Sequence, residues 1–102
     1  MTEPSITHAH QQYEISIDGA RAGLAAYVDR GSQRIFHHTE VGAEFGGRGL
    51  GTTLIAAALA DTRAAGKRIV PMCSFVAAYA DKHDEYRDLV DPVTPETRTA
   101  VS

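Results

Sequence analysis

The chain has one cysteine, Cys73, no tryptophan, and 10 basic residues against 13 acidic ones, for a formal charge of -3. A lone cysteine excludes an internal disulfide framework and a multi-cysteine zinc site. The scattered basic residues supply no positive field, so nucleic acid is excluded as a partner. The longest uninterrupted apolar run, residues 54–60, is far too short to cross a bilayer. The opening "MTEPSITHAH" lacks the basic start and apolar stretch of a signal peptide. No membrane is expected, and the expected location is the cytoplasm. The five histidines fit no metal-ligand spacing, so no metal is expected.

What remains is an ordinary soluble composition, with 43% hydrophobic and 23% charged residues. At 102 residues there is room for one core and one site, in a monomer or a small homo-oligomer. The ends, residues 1–10 and 91–102, read as flexible tails around a domain of residues 11–90; the second carries two prolines and little apolar spacing. "QYEISIDG" alternates through Tyr13, Ile15 and Ile17 and ends on the hairpin pair Asp18–Gly19. "ARAGLAAYVD" and "RIFHHTEV" follow as strands, giving an antiparallel meander of three. Leu50, Leu54, Ile55, Ala58 and Leu59 then share one helical face, with Gly66 as the stop. "KRIVPMC" reads as a short buried strand. "SFVAAYADKH" returns to helical spacing through Phe75, Val76 and Tyr79, with Ser74 as N-cap. The order β-β-β-α-β-α makes an α/β (α+β) fold whose β-α-β portion is long enough for a parallel crossover.

The crossover opens on "EFGGRGLGTT", with glycine at 46, 47, 49 and 51. A helix N-terminus presents unpaired N–H groups, and glycines ahead of it let those amides approach an anion without a Cβ in the way. Phosphate is the natural occupant, and Arg48 favours it. The bland alternative is a tight strand-to-helix turn. Thr52 stands where the nucleotide-triphosphate loop needs lysine, and no G-x-G-x-x-G register fits.

"HTEVGAEFGGRGLGTTLIAAAL" resembles the strand, loop and helix of the GNAT-superfamily N-acetyltransferases, whose Gln/Arg-x-x-Gly-x-Gly/Ala loop holds the pyrophosphate of coenzyme A. Gly49 and Gly51 match its small positions, Gly46 departs from its Gln/Arg, and Ala43 and Asp84 replace frequent prolines. "GKRIVPMCSFVAAYADKHDEYRDLV" further resembles the small, single-domain YjdJ-like branch. The resemblance implies a minimal GNAT-like fold and an acetyl-CoA-dependent N-acetyltransferase acting on a primary amine of unknown identity. It also implies a CoA site comprising Val41, Gly46, Gly47, Arg48, Gly49, Leu50, Gly51 and Thr52. The alternative is a non-catalytic CoA-binding module that acts through a partner protein.

Three residues are candidates for the chemistry. Tyr79 occupies a position where the superfamily often has a tyrosine near the thioester sulfur, and a phenol there could protonate the leaving thiolate. The same spacing equally serves a core stripe. Cys73, at a strand end before a helix, could accept the acetyl group or shape the pocket as a small buried residue, direct transfer being the superfamily's usual route. Glu40 shares a strand face with His38 by alternation, opposite His37 and Thr39, so Glu40 or His38 could act as base, or all could be solvated strand residues. With only "DG" between the first two strands, the acceptor side is expected to be open.

Overall fold

The structure, a computed structural model, describes residues 4–42 and 49–101. Its centre is a five-stranded sheet in the order β1-β2-β3-β4-β5. The strands are β1 Ser5–Ala9, β2 Gln12–Ile17, β3 Ala20–Arg30, β4 Gln33–Val41 and β5 Arg68–Pro71. The first four are antiparallel; β5 runs parallel to β4. Helices α1 (Leu50–Ala64) and α2 (Ser74–Lys82) flank β5, followed by a 3-10 helix at Asp84–Leu89 and a short α3 (Pro95–Ala100). No helix of the described residues is long and apolar enough to cross a membrane.

The expected elements form for the expected reasons. Asp18 and Gly19 both take positive φ, 53° and 80°, as a two-residue hairpin turn demands. Alternation in β2 buries Tyr13, Ile15 and Ile17 while their neighbours stay half-exposed. These side chains join Tyr27 and Phe36 under Leu54, Ile55, Ala58 and Leu59 of α1 and Val76 of α2. Each large apolar side chain so buried contributes roughly 1.5–3 kcal/mol. Gly66, at φ 73°, carries the chain out of α1.

Both expected tails instead carry secondary structure. Residues 5–9 form the edge strand β1, which turns into β2 through Gln11 at φ 59°. At the other end Asp91 is held three ways: its amide donates to the Ile69 carbonyl (2.8 Å), Gln33 Nε2 donates to its carboxylate (2.8 Å), and Arg68 Nε does the same (2.6 Å). Thr94 then caps α3 reciprocally with Thr97, with Pro95 at the first helical position. Helix α3 packs on β3, and Thr97 is buried. By pairing, Val28, Ile35 and Val70 form a row on the sheet face away from α1, and Ile35 and Val70 are fully buried.

One polar cluster crosses the core. Arg34, 5% exposed, donates through Nε and Nη2 to both carboxylate oxygens of Asp29 (2.9 and 3.1 Å) and through Nη1 to the Tyr13 hydroxyl (2.6 Å). The Tyr13 hydroxyl donates onward to Asp61 at 2.6 Å, and the Arg34 guanidinium lies 4.3 Å from the Tyr27 ring centre. Burial opposes the charge on Arg34, but Asp29, Tyr13 and Tyr27 together outweigh it and hold the guanidinium protonated. Burial, then Asp61, pushes the Tyr13 hydroxyl up.

Removing the cation should therefore be costly. Arg34→Met is expected to lower unfolding free energy by about 2 kcal/mol in urea titration, because it takes from the half-exposed Asp29 its two-pronged donor while the Tyr13 hydroxyl keeps Asp61. Acid should act on the same contacts. The hydrogen bond from Arg34 holds the Asp29 carboxyl below its ordinary range, and Gln33, with Arg68, does the same for Asp91. A depressed folded-state pKa means stability present above the unfolded value and lost as pH falls through the folded one, so stability should decline below about pH 4. Asp29→Asn should flatten that decline; an unchanged acid limb would show that other carboxylates set it.

Candidate active site

The parallel pairing of β4 with β5 is brief, ending at Phe36 opposite Pro71. Proline has no N–H to continue a ladder. The chain then folds back: the Met72 amide donates to the Val70 carbonyl at 3.1 Å, and the Cys73 amide donates to the Phe36 carbonyl at 2.9 Å. Helix α2 starts at once, with Cys73 as its N-cap residue, where Ser74 was expected. Strand β4 continues to Val41, so residues 37–41 run past the end of β5. Among the described residues nothing pairs with that outer edge of β4, and a gap opens between the two strands.

A bulge decides which side chains border the gap. Tyr27 pairs with Phe36 but Ala26 pairs with His38, so His37 is an extra residue in β4. Beyond it Thr39 pairs with Ala25 and Val41 with Gly23, on the face that carries the helices. The Cys73 thiol donates to the Thr39 hydroxyl at 3.3 Å, joining both sides of the gap, and Val41 and Cys73 pack against the core. His38 and Glu40 point to the opposite face, paired with each other at 3.0 Å. Glu40 and Cys73 are therefore on opposite faces of the sheet.

Helix α1 begins beside the gap. Its N-cap is Gly49 at φ 70°, with no side-chain cap and no acidic residue in the first turn. A Cβ on Gly49 would meet nothing within 4 Å, so the glycine is needed there for its left-handed backbone. Gly51 differs. A Cβ there would fall 2.6 Å from the end of the Phe75 ring, so its smallness seats Phe75 against α1. Leu50 is buried and Thr52 exposed. Gly46, Gly47 and Arg48 lie outside the described residues.

Phe75, expected in the core, is 42% exposed. With Thr52, Ala78, Tyr79, Lys82 and His83 it lines a groove of about 260 Å³ between α1 and α2. Tyr79 stacks on His83, ring centres 3.8 Å apart at 12°, and the His83 imidazole is fixed by a 2.7 Å hydrogen bond to the Tyr79 carbonyl. Burial, then Tyr86 and Glu85, pushes the Tyr79 hydroxyl up, which keeps its proton on at neutral pH. Thr52 and Tyr79 are thus brought to one groove. Sequence reasoning missed the groove itself, although Phe75, Tyr79 and His83 recur at the four-residue spacing of one helical side.

A gap between parallel strands, an uncapped helix start beside it and a thiol at its rim form one constellation. A family model for GCN5-related N-acetyl-transferases matches residues 12–89. The chain belongs to that family. The solution structure of a GCN5-like protein from Staphylococcus aureus superposes with TM-score 0.68 and 24% identity, over 89% of this chain and 91% of that one. A GNAT-family crystal structure from Desulfovibrio desulfuricans matches with TM-score 0.52 and 24% identity, over 57% of this chain and 40% of that one. At such identity these likenesses carry the fold alone. No curated relative matches the chain. Family membership supports acetyl transfer as the general chemistry, and the GNAT fold agrees with the mixed α/β architecture expected from the sequence.

The contact of Gly51 with Phe75 is open to test. Gly51→Ala should stay within about 1 kcal/mol of the parent stability, because the gain in helix propensity offsets the displaced ring. The Phe75 ring should lose its proton-NMR contacts to the first turn of α1; a ring that stays in place would show that this packing does not require glycine.

Proposed function

We propose that the protein binds acetyl-CoA and transfers its acetyl group to a primary amine. The observation that carries this reading is the parting of β4 from β5 beside the uncapped start of α1. The free edge of β4 near Val41 offers backbone groups to a pantetheine amide arm, and the amides around Gly49–Thr52 offer partial positive charge to a pyrophosphate. Gly46, Gly47 and Arg48 complete the proposed cradle by resemblance. The placement in the small YjdJ-like branch rests on the same resemblance.

Acetyl transfer needs a polarised carbonyl, an unprotonated amine and a proton for the departing thiolate. Backbone N–H groups along the β4 edge are suited to the first. Tyr79, still protonated at neutral pH and on the helical side of the sheet, is our candidate for the third. Cys73 lies at the rim of the gap with its thiol engaged by Thr39, which favours a wall residue over an acetyl-carrying nucleophile. The competing reading, a CoA-binding module without turnover, shares every binding contact and differs in chemistry alone.

Calorimetric titration with acetyl-CoA, CoA and ATP under identical conditions tests the cradle: the first two should bind and ATP should not compete. Gly49→Val should abolish binding while leaving the fold largely intact, because a β-branched residue resists φ 70°. Unchanged affinity in that variant would remove the cradle. For catalysis, Tyr79→Phe should lower the single-turnover rate by ~100-fold with CoA affinity preserved. Cys73→Ala should keep substantial activity. Steady release of CoA in the presence of an amine separates the enzyme from the binding module.

A further inference from the structure

One edge of the sheet is covered and the other is bare. Outside β5, Val90 bridges to Ile69, and the Asp91 amide donates to the Ile69 carbonyl at 2.8 Å. Strand β1 has β2 on its inner side and, among the described residues, no strand on its outer side. Natural edge strands are blunted by a charge, a proline or a bulge, because a free row of N–H and C=O groups templates another strand. Ser5–Ala9 has none of these: it reads SITHA, and its register with β2 is unbroken. Ile6, on this strand, is one of two large apolar side chains left exposed among the described residues. The other, Phe75, lines the groove beside α1.

Backbone parity identifies the free groups. The Tyr27 amide donates to the Gln11 carbonyl at 2.9 Å, so Gln11 and, by alternation, Tyr13 and Ile15 turn their backbone groups toward β3. Gln12, Glu14 and Ser16 therefore bond to β1, through their partners Ala9, Thr7 and Ser5. That leaves the amides and carbonyls of Ile6 and His8 pointing outward. Their side chains lie on the helical face, opposite Ile15 and Tyr13, where the His8 ring stacks on Tyr13 at 4.3 Å. Thr7 is exposed on the other face, beside Glu14.

We infer that β1 is the docking edge for a second copy of this chain, the two strands pairing antiparallel about a two-fold axis at Thr7. This register is self-complementary. It sets Ile6 opposite His8 of the second copy and the reverse, so every outward amide and carbonyl enters one of four hydrogen bonds between the chains. Each exposed Ile6 then lies against the other copy's His8 ring, and Thr7 faces its own equivalent, a favourable cross-strand pair. The strand sets no charge against its like. The Glu14 side chains of the two copies are kept about 14 Å apart by the two β1 strands, beyond the Debye length of ~8 Å. Helix α1 packs chiefly over the other four strands, which leaves the approach to β1 open. With β5 covered, and the open stretch of β4 lying at the gap, assembly stops at two. A contact one short strand long is at the small end of interface sizes, so the dimer is weak and forms with concentration. None of this depends on acetyl transfer.

Sedimentation equilibrium of the wild type should show the mass rising from one chain toward two, and not beyond, between about 10 μM and 1 mM. In a mixture of isotope-labelled and unlabelled protein, filtered proton NMR should place the Thr7 α-proton against that of the other copy. That contact belongs to residues facing each other in a non-hydrogen-bonded pair, as Thr7 does across the axis. Thr7→Lys sets two ammonium groups opposite each other while facing Glu14 within its own chain, so it should weaken association ~10-fold with β1 still folded. Thr7→Gln should associate within a few-fold of wild type. Ile6→Pro removes an amide that β2 does not use and should abolish the dimer. Retained NMR contacts between the His8 and Tyr13 rings show β1 in place in each variant. A wild type that stays a single chain throughout, a dimer without the Thr7 contact, a dimer indifferent to Thr7→Lys, or equal losses from Thr7→Lys and Thr7→Gln would overturn the proposal.

Discussion

The chemistry proposed for this chain depends on one interruption, the end of the β4–β5 ladder at Pro71. A longer β5 would go on pairing along β4 and close the sheet. Here the shorter strand is cut by a residue that cannot donate, and the next two amides are spent on Val70 and Phe36. The chain must then leave the sheet plane, and α2 starts without an intervening loop. Because β4 does not turn with it, residues 37–41 keep β3 on one side and, among the described residues, have no strand neighbour on the other. An unpaired edge is an aggregation risk on an open sheet but a binding surface inside a cleft.

Such a small domain can keep a gap in its sheet only if the rest is held firmly, and the Arg34 cluster does much of that. It ties β2, β3 and β4 to the C-terminal half of α1 through Tyr13, Asp29 and Asp61. His8 extends the tie to the edge strand, stacking on Tyr13 at 4.3 Å and bonding to the Tyr27 hydroxyl. The cluster lies on the half of β4 that still pairs with β5, before the bulge. The polar ties are concentrated at that end of the strand, and among the described residues the far end has no partner on its β5 side.

The sequence revealed what repeats and concealed what does not. β2, β3 and α1 bury one side regularly, and periodicity identifies them. β1 is exposed at almost every position and enters its hairpin through Gln11, a residue with no turn signature, so neither signal was there to read. The C-terminal segment was misread because its order comes from partners far away, Gln33 and Arg68 on Asp91, while its local sign, Thr94–Pro95 ahead of Thr97, is short. At the site, Gly49 was legible as a backbone requirement. The packing of Gly51 under Phe75 was not, because it joins two helices that the sequence cannot dock.

The bulge shows how a single inserted residue redistributes side chains between the two faces of a strand. Simple alternation pairs His38 with Glu40 and Thr39 with His37, but it cannot say which pair meets the helices or that His37 has left the register. In the folded sheet Thr39 and Val41 join the thiol and the core on one side, and the imidazole and carboxylate are displayed on the other. Without the bulge, residues on one side of it would change faces: either Phe36 would leave the core or His38 would enter it. With it, the strand keeps an apolar anchor below and presents different side chains on its two faces above. For a domain with one core and one sheet, that division needs no additional element.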